Sequence, residues 1–231
     1  MKHLGFHLLA ILTIAIWGIT FINTKILLLQ GLQPMEIFLL RFIVAYLCIW
    51  PITPKTIKSQ SWKDEGMFFM LGLMGGTVYF VAENTAIGLT LVNNVAFIVC
   101  TAPLITTLLA ILLVKNVKAS ASLILGSLIA LFGVGMVIYN GHFVLKLNPL
   151  GDALALIAAF CWAIYSLLIK SVSTRYSAAF ITRKVFFYGI LTVLPLFLLN
   201  PWSFPPKQLL QPQFLQLLRL LHKLLLPVQM C

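Results

Sequence analysis

Seven apolar runs, each close to the length that crosses a bilayer, govern what this chain can fold into. They cover Leu8–Leu29, Pro34–Pro54, Met67–Leu89, Val92–Val114, Ser122–Tyr139, Leu150–Ile169 and Val185–Leu199. A helix of about 20 apolar residues spans the hydrocarbon core, and only there must all its backbone groups be bonded within the protein. Charged residues make up 9% of the 231, against roughly 25% in a soluble domain. So few charges cannot cover a water-facing surface. The expected fold is an all-α membrane protein, a multi-span helical bundle in contact with a lipid bilayer. The first run is read as a retained span and not a signal peptide, because it is long, lacks a small-residue cleavage site and is followed by further spans.

The basic residues that give a formal net charge of +11 lie mostly between the runs. Lys2 precedes the first. Lys55, Lys58 and Lys63 follow the second, and Lys115 and Lys118 follow the fourth. Lys170, Arg175, Arg183 and Lys184 surround the connection from the sixth to the seventh, whereas the connection after the fifth carries only Lys146. This alternation predicts a cytoplasmic N-terminus by the positive-inside rule. No basic groove is evident, so no nucleic-acid partner is expected.

One pattern occurs twice. Trp17 and Lys25 in the first run are separated as Trp162 and Lys170 are in the sixth. The sixth run is offset from the first by five spans, an odd number, so the units that contain them have opposite orientation. Inverted repeats of this kind build many alternating-access transporters.

Ionisable groups inside spans are expensive and mark candidate sites. Arg41 lies about 10 Å into the second span. It is either a counter-charge for an anionic or zwitterionic substrate, or a side chain snorkelling to the interface. Gly72, Gly76, Tyr79 and Glu83 fall on one stripe at three- and four-residue spacing, which should face the bundle interior. Glu83 can take a substrate amine, carry a coupling proton, or pair structurally with Arg41 or Lys25. Asn84 beside it is expected to make a helix–helix hydrogen bond. Trp17 and Trp162 lie mid-span, where the interfacial aromatic belt does not explain them. With Phe21, Thr20, Asn23, Thr24, Tyr165 and Ser166 they form a pocket wall or, alternatively, ordinary packing. Trp17, Phe21, Arg41, Tyr79, Glu83, Trp162 and Tyr165 are the candidate substrate-binding residues. Lys25 is read as snorkelling and Lys170 as a topological anchor. Pro103, with Thr101, Thr106 and Thr107, predicts a kink in the fourth span. Gly126, Ala130, Gly133 and Gly135 suit close helix packing.

Enzyme signatures are absent. No Ser-His-Asp set, phosphate loop, His-rich metal site or catalytic carboxylate pair is present, and no cofactor or metal is expected. Cys48, Cys100, Cys161 and Cys231 form no Cys-x-x-Cys pair, and three lie in apolar runs as small packing residues. A seven-helix light sensor would need a Schiff-base lysine in its last helix, and Val185–Leu199 has none.

Several motifs, in order, resemble the EamA-like family of the drug/metabolite transporter superfamily. They are Trp17-Gly-x-x-Phe21, Pro34 with Arg41, Ala96 to Pro103 to Ala110, Gly126 to Gly135, and Gly151-Asp152 followed by Trp162-Ala163. The resemblance covers Leu8 to Leu199. It implies ten helices as two five-helix units, an inner (plasma) membrane location, and export of amino acids, related metabolites or drugs. On this reading residues 1–145 are one complete five-helix unit, and residues 146–199 hold the first two helices of an inverted repeat. Residues 200–231 form a divergent tail with an interfacial helix over Phe214–Leu226. The expected function is secondary transport of a small molecule by alternating access. The alternative is a truncated, non-transporting remnant able to associate with a second copy or with partner helices.

Overall fold

The computed structural model describes residues 2–53, 58–114, 120–139 and 148–203. The expected tail helix, and Lys55, Lys115, Lys118 and Lys146, lie outside these. Among the described residues every element is helical. Helix α1 is Lys2–Leu29, α2 Pro34–Ile49, α3 Trp62–Gly72, α4 Tyr79–Leu89 and α5 Val92–Val99. They are followed by α6 Ala102–Leu113, α7 Ala121–Tyr139, α8 Pro149–Val172, α9 Ala178–Val193 and α10 Leu196–Leu199. Six segments are long and apolar enough to cross a membrane: Ile11–Leu29, Pro34–Ile52, Trp62–Leu89, Val92–Leu113, Pro149–Val172 and Ala178–Leu199. Helix α7 adds 19 residues, with Leu125, Ile129 and Phe132 exposed along it.

Local chemistry sets the helix ends. Gly31 adopts φ +97° between α1 and α2, a left-handed turn that lets Leu32 N–H reach back to Leu27 O at 3.2 Å. Pro34 opens α2, and Glu36 accepts from the Gln33 N–H at 2.8 Å. Ser61 caps α3, with Asp64 and Glu65 in its first turn. Asn148 caps α8, accepting from Gly151 N–H at 3.0 Å. Ser177 caps α9.

Two segments are interrupted. Cys100 and Thr101 separate α5 from α6, and Pro103 sits in the first turn of α6. This is the kink its ring predicts. Between α3 and α4 the backbone runs as a π-helix over Leu73–Val78. The wider turn changes which residues share a face, so the stripe expected from plain α-helical spacing is divided between neighbours. Gly72 faces α9, where a Cβ would collide with Tyr188 and the Gly189 backbone. Gly75, off the expected stripe, faces the Tyr165 ring of α8. Gly76 and Gly189 together admit the Phe42 ring of α2. Thr77 closes the contact, donating to Gly189 O at 3.0 Å and sharing a 2.7 Å hydrogen bond with Thr192.

Helix α8 lies centrally, against α4, α5 and α6. Its Ala155, Ala158, Ala159 and Ala163 are fully buried and let the backbones approach closely. Tyr79, Ala82, Ala86, Val95, Ala155 and Ala158 form one core. Phe68, Leu71, Val172, Phe180, Ile181 and Val185 form another, where α3 meets α8 and α9.

Two span starts lie furthest from expectation. The third begins at Trp62 instead of Met67, and the last at Ala178 instead of Val185. The residues that hydropathy places in loops, Asp64, Glu65, Arg183 and Lys184, lie within helices. They are accommodated because they bond one another, their neighbours and aromatic faces.

Candidate functional site

Arg41 projects from α2 towards α1. Its Nη2 donates to Thr24 Oγ1 at 2.8 Å and lies 3.5 Å from Thr20 O. Its Nε is enclosed by protein without a hydrogen-bond partner. Glu83, 4% exposed on α4, accepts from the Tyr79 hydroxyl at 2.6 Å. No ion pair within 4.0 Å joins Arg41 to Glu83 among the described residues. Asn84 turns the other way and donates to Pro34 O at 3.0 Å, the expected bond between helices, here α4 to α2.

The aromatic candidates meet beside Tyr79. The centroids of Trp17 and Trp162 are 5.1 Å apart, and so are those of Trp162 and Tyr79. Tyr165 adds a ring 5.2 Å from Trp162. Phe21 packs on the same core. The rings are tilted by 36–48° to one another around the fully buried Tyr79, with a buried carboxylate and a guanidinium nearby. Ser166 and Thr20 spend their hydroxyls on their own helices, bonding Trp162 O at 2.8 Å and Trp17 O at 2.6 Å.

The repeated lysines do not converge. Lys25 Nζ donates to Ile87 O at 2.7 Å and approaches Gly88 O at 3.5 Å. It thereby satisfies carbonyls that the end of α4 leaves unpaired, a specific bond in place of the snorkelling expected of it. Lys170 is exposed in the last turn of α8.

A second polar cluster ties α3 to the hairpin between α8 and α9, and sequence reasoning missed it. Arg175 pairs with Asp64 at 2.6 Å, and the Tyr176 hydroxyl donates to the same carboxylate at 2.7 Å. Tyr176 in turn accepts from Gln60 N–H at 2.8 Å. Desolvation, with the bond to Asp64 adding to it, raises the Tyr176 hydroxyl above its ordinary value. Lys184, 3% exposed, pairs with Glu65, which also accepts from Ser59 and Tyr188. The ammonium lies 5.8 Å from the Phe68 and Phe180 ring centroids and 5.6 Å from that of Tyr188. Arg183 donates to Thr53 Oγ1 at 3.1 Å and covers the Tyr46 and Trp50 rings. A cavity of about 400 Å³, lined by residues including Trp62, Glu65 and Lys184, adjoins this cluster. The usable signal was Ser61 followed by Asp64-Glu65, a helix start ahead of the apolar run.

At the other end of α4, Asn148 Nδ2 donates to Leu89 O at 2.9 Å and Thr90 donates to Asp152 at 3.2 Å. Gly151 packs tightly on Leu89 and Thr90. Glu36, fully buried, accepts from Ser203 N–H at 2.7 Å, so the chain beyond α10 is bound to the start of α2. Among the described residues no group of His, Cys, Asp or Glu is placed to hold a metal ion.

Comparison with known proteins agrees with this architecture. An uncharacterized transporter of Archaeoglobus fulgidus is 26% identical over 92% of this chain and 75% of its own length. A second from the same organism is 27% identical over 80% of this chain and 64% of its length. One from Clostridium kluyveri is 23% identical over 81% and 63%. The chain thus spans less than two thirds of the latter two. A solved crystal structure superposes with a TM-score of 0.69 at 15% identity, covering 96% of this chain and 77% of that one, and shares the fold. The model of the EamA-like transporter family matches residues 5–139. With that match across more than half its length, this multi-pass membrane protein belongs to the EamA-like transporter family.

Proposed function

We propose that the chain is a secondary transporter that moves a small metabolite by alternating access, with the substrate held at the aromatic wall. Trp17, Phe21, Trp162 and Tyr165 supply stacking surface, backed by the buried Tyr79. Arg41 and Glu83 supply the charges that select a polar end. The observation that carries this reading is the meeting of Trp17 and Trp162, 5.1 Å apart, from matching positions of two repeats, beside the buried Tyr79–Glu83 pair. Sites at the interface of inverted repeats suit a carrier in which one unit rocks against the other. The positive-inside pattern favours a cytoplasmic N-terminus and the inner membrane.

The test is uptake and efflux of a labelled metabolite panel in proteoliposomes containing this chain, its Glu83→Gln variant, and a longer version carrying ten spans. Transport by the chain that disappears in Glu83→Gln supports a carrier with an essential carboxylate. Transport by the longer version alone overturns the reading that residues 1–231 suffice for a carrier.

A further inference from the structure

The polar cluster around Asp64, Glu65, Arg175 and Lys184 lies apart from the aromatic wall and has no part in holding substrate there. It joins α3, from the first repeat, to the α8–α9 hairpin, from the second. We propose that this cluster is an ionic latch that holds one mouth of the bundle shut and parts when the carrier changes state. The inference rests on the carrier reading, because the two bodies that the latch joins are the ones that must rock.

Three observations support it. The bonds that cross are concentrated in short stretches: Gln60, Asp64 and Glu65 on one side, Arg175, Tyr176, Lys184 and Tyr188 on the other. Separating these stretches breaks all of them together, which gives a two-state element and not a graded one. The bonds are also replaceable. The cavity of about 400 Å³ is lined by both Glu65 and Lys184, so water can reach and solvate each charge once the pair, whose lysine is 3% exposed while closed, comes apart. Finally, the opposite end of the same two repeats is joined differently. There α4 and α8 meet through Asn148 to Leu89 O, Thr90 to Asp152, and the close packing of Gly151. The α4–α8 junction there is made by Leu89, Thr90, Asn148, Gly151 and Asp152 without an ion pair among them. The charged end is therefore the one that responds to loss of a single charge.

The latch is tested without any cargo. In the full chain, Cys48, Cys100, Cys161 and Cys231 are replaced by Ala. Spin labels are attached through Lys63→Cys and Thr174→Cys, both exposed and flanking the latch. Dipolar EPR in lipid nanodiscs then reads the separation. The parent should show one short-distance population. Glu65→Gln and Lys184→Met should each lose most of it to the same longer-distance population. An unchanged distribution in both variants overturns the latch. So does a change in only one, because a latch fails when either partner is removed. Asp64→Asn is the milder variant, since its partner Arg175 is 46% exposed, and it should shift the same distribution if a Glu65 or Lys184 variant fails to fold. Absence of transport in proteoliposomes would sink the carrier reading and leave this distance measurement to stand by itself.

Discussion

The Tyr165 ring of α8 lies against Gly75 so closely that a Cβ at that position would overlap it. This contact fixes how near the π-helical segment of the third span comes to α8. Gly75→Ala should therefore destabilise the protein by about 1–3 kcal/mol, the usual cost of overpacking. Tyr165→Leu in the same chain should recover part of the loss. Thermal unfolding of the two single variants and the double variant in detergent reads the coupling.

Thr77 joins the third span to α9 through Gly189 O and Thr192. Hydrogen bonds between helices in membranes average about 0.6 kcal/mol. Thr77→Val should thus lower stability by about that amount, less than Gly75→Ala. A larger loss, measured in the same unfolding assay, would mean that the hydroxyl is worth more than a typical bond.

Lys25 and Lys170 occupy equivalent places in the repeat but have different tasks. Lys25→Met removes the donor to Ile87 O and should cost about 1.5–3 kcal/mol, as for a hydrogen bond to a charged group. Lys170→Met removes an exposed charge and should leave the unfolding temperature unchanged. Equal effects in the two variants would contradict the assignment.

Trp162 touches Trp17, Tyr79 and Tyr165. Trp162→Phe keeps a ring in the wall and should preserve both folding and transport of an aromatic substrate. Trp162→Ala should lose stability, by up to about 3–5 kcal/mol as in soluble cores, and transport with it. Melting curves and proteoliposome flux separate the two effects.

Much of this architecture was legible in the sequence. Apolar runs identified the spans because hydrocarbon imposes a length. The ring of Pro103 announced the break between α5 and α6. The repeat singles out Trp17 and Trp162, whose rings the structure brings to 5.1 Å. The π-helix was not legible, since hydropathy is blind to the register of backbone hydrogen bonds, and Gly75 was consequently left off the packing face. Hydropathy puts Arg183 and Lys184 in a loop for a related reason. A charge looks costly in a span until its partners are known, and Glu65 lies far away in the chain. Lys25 was assigned to the interface because its acceptor, a carbonyl, has no signature among side chains.

The burial of Arg183 and Lys184 also bears on biogenesis. An isolated α9 entering lipid would carry two unneutralised charges in its second turn, each disfavouring insertion by up to about 3 kcal/mol at mid-membrane and less near the surface. Vectorial synthesis makes Thr53 and Glu65 before α9 emerges. The ribosome thus delivers the acceptors first, and the late helix can settle against earlier ones already seated in the bilayer.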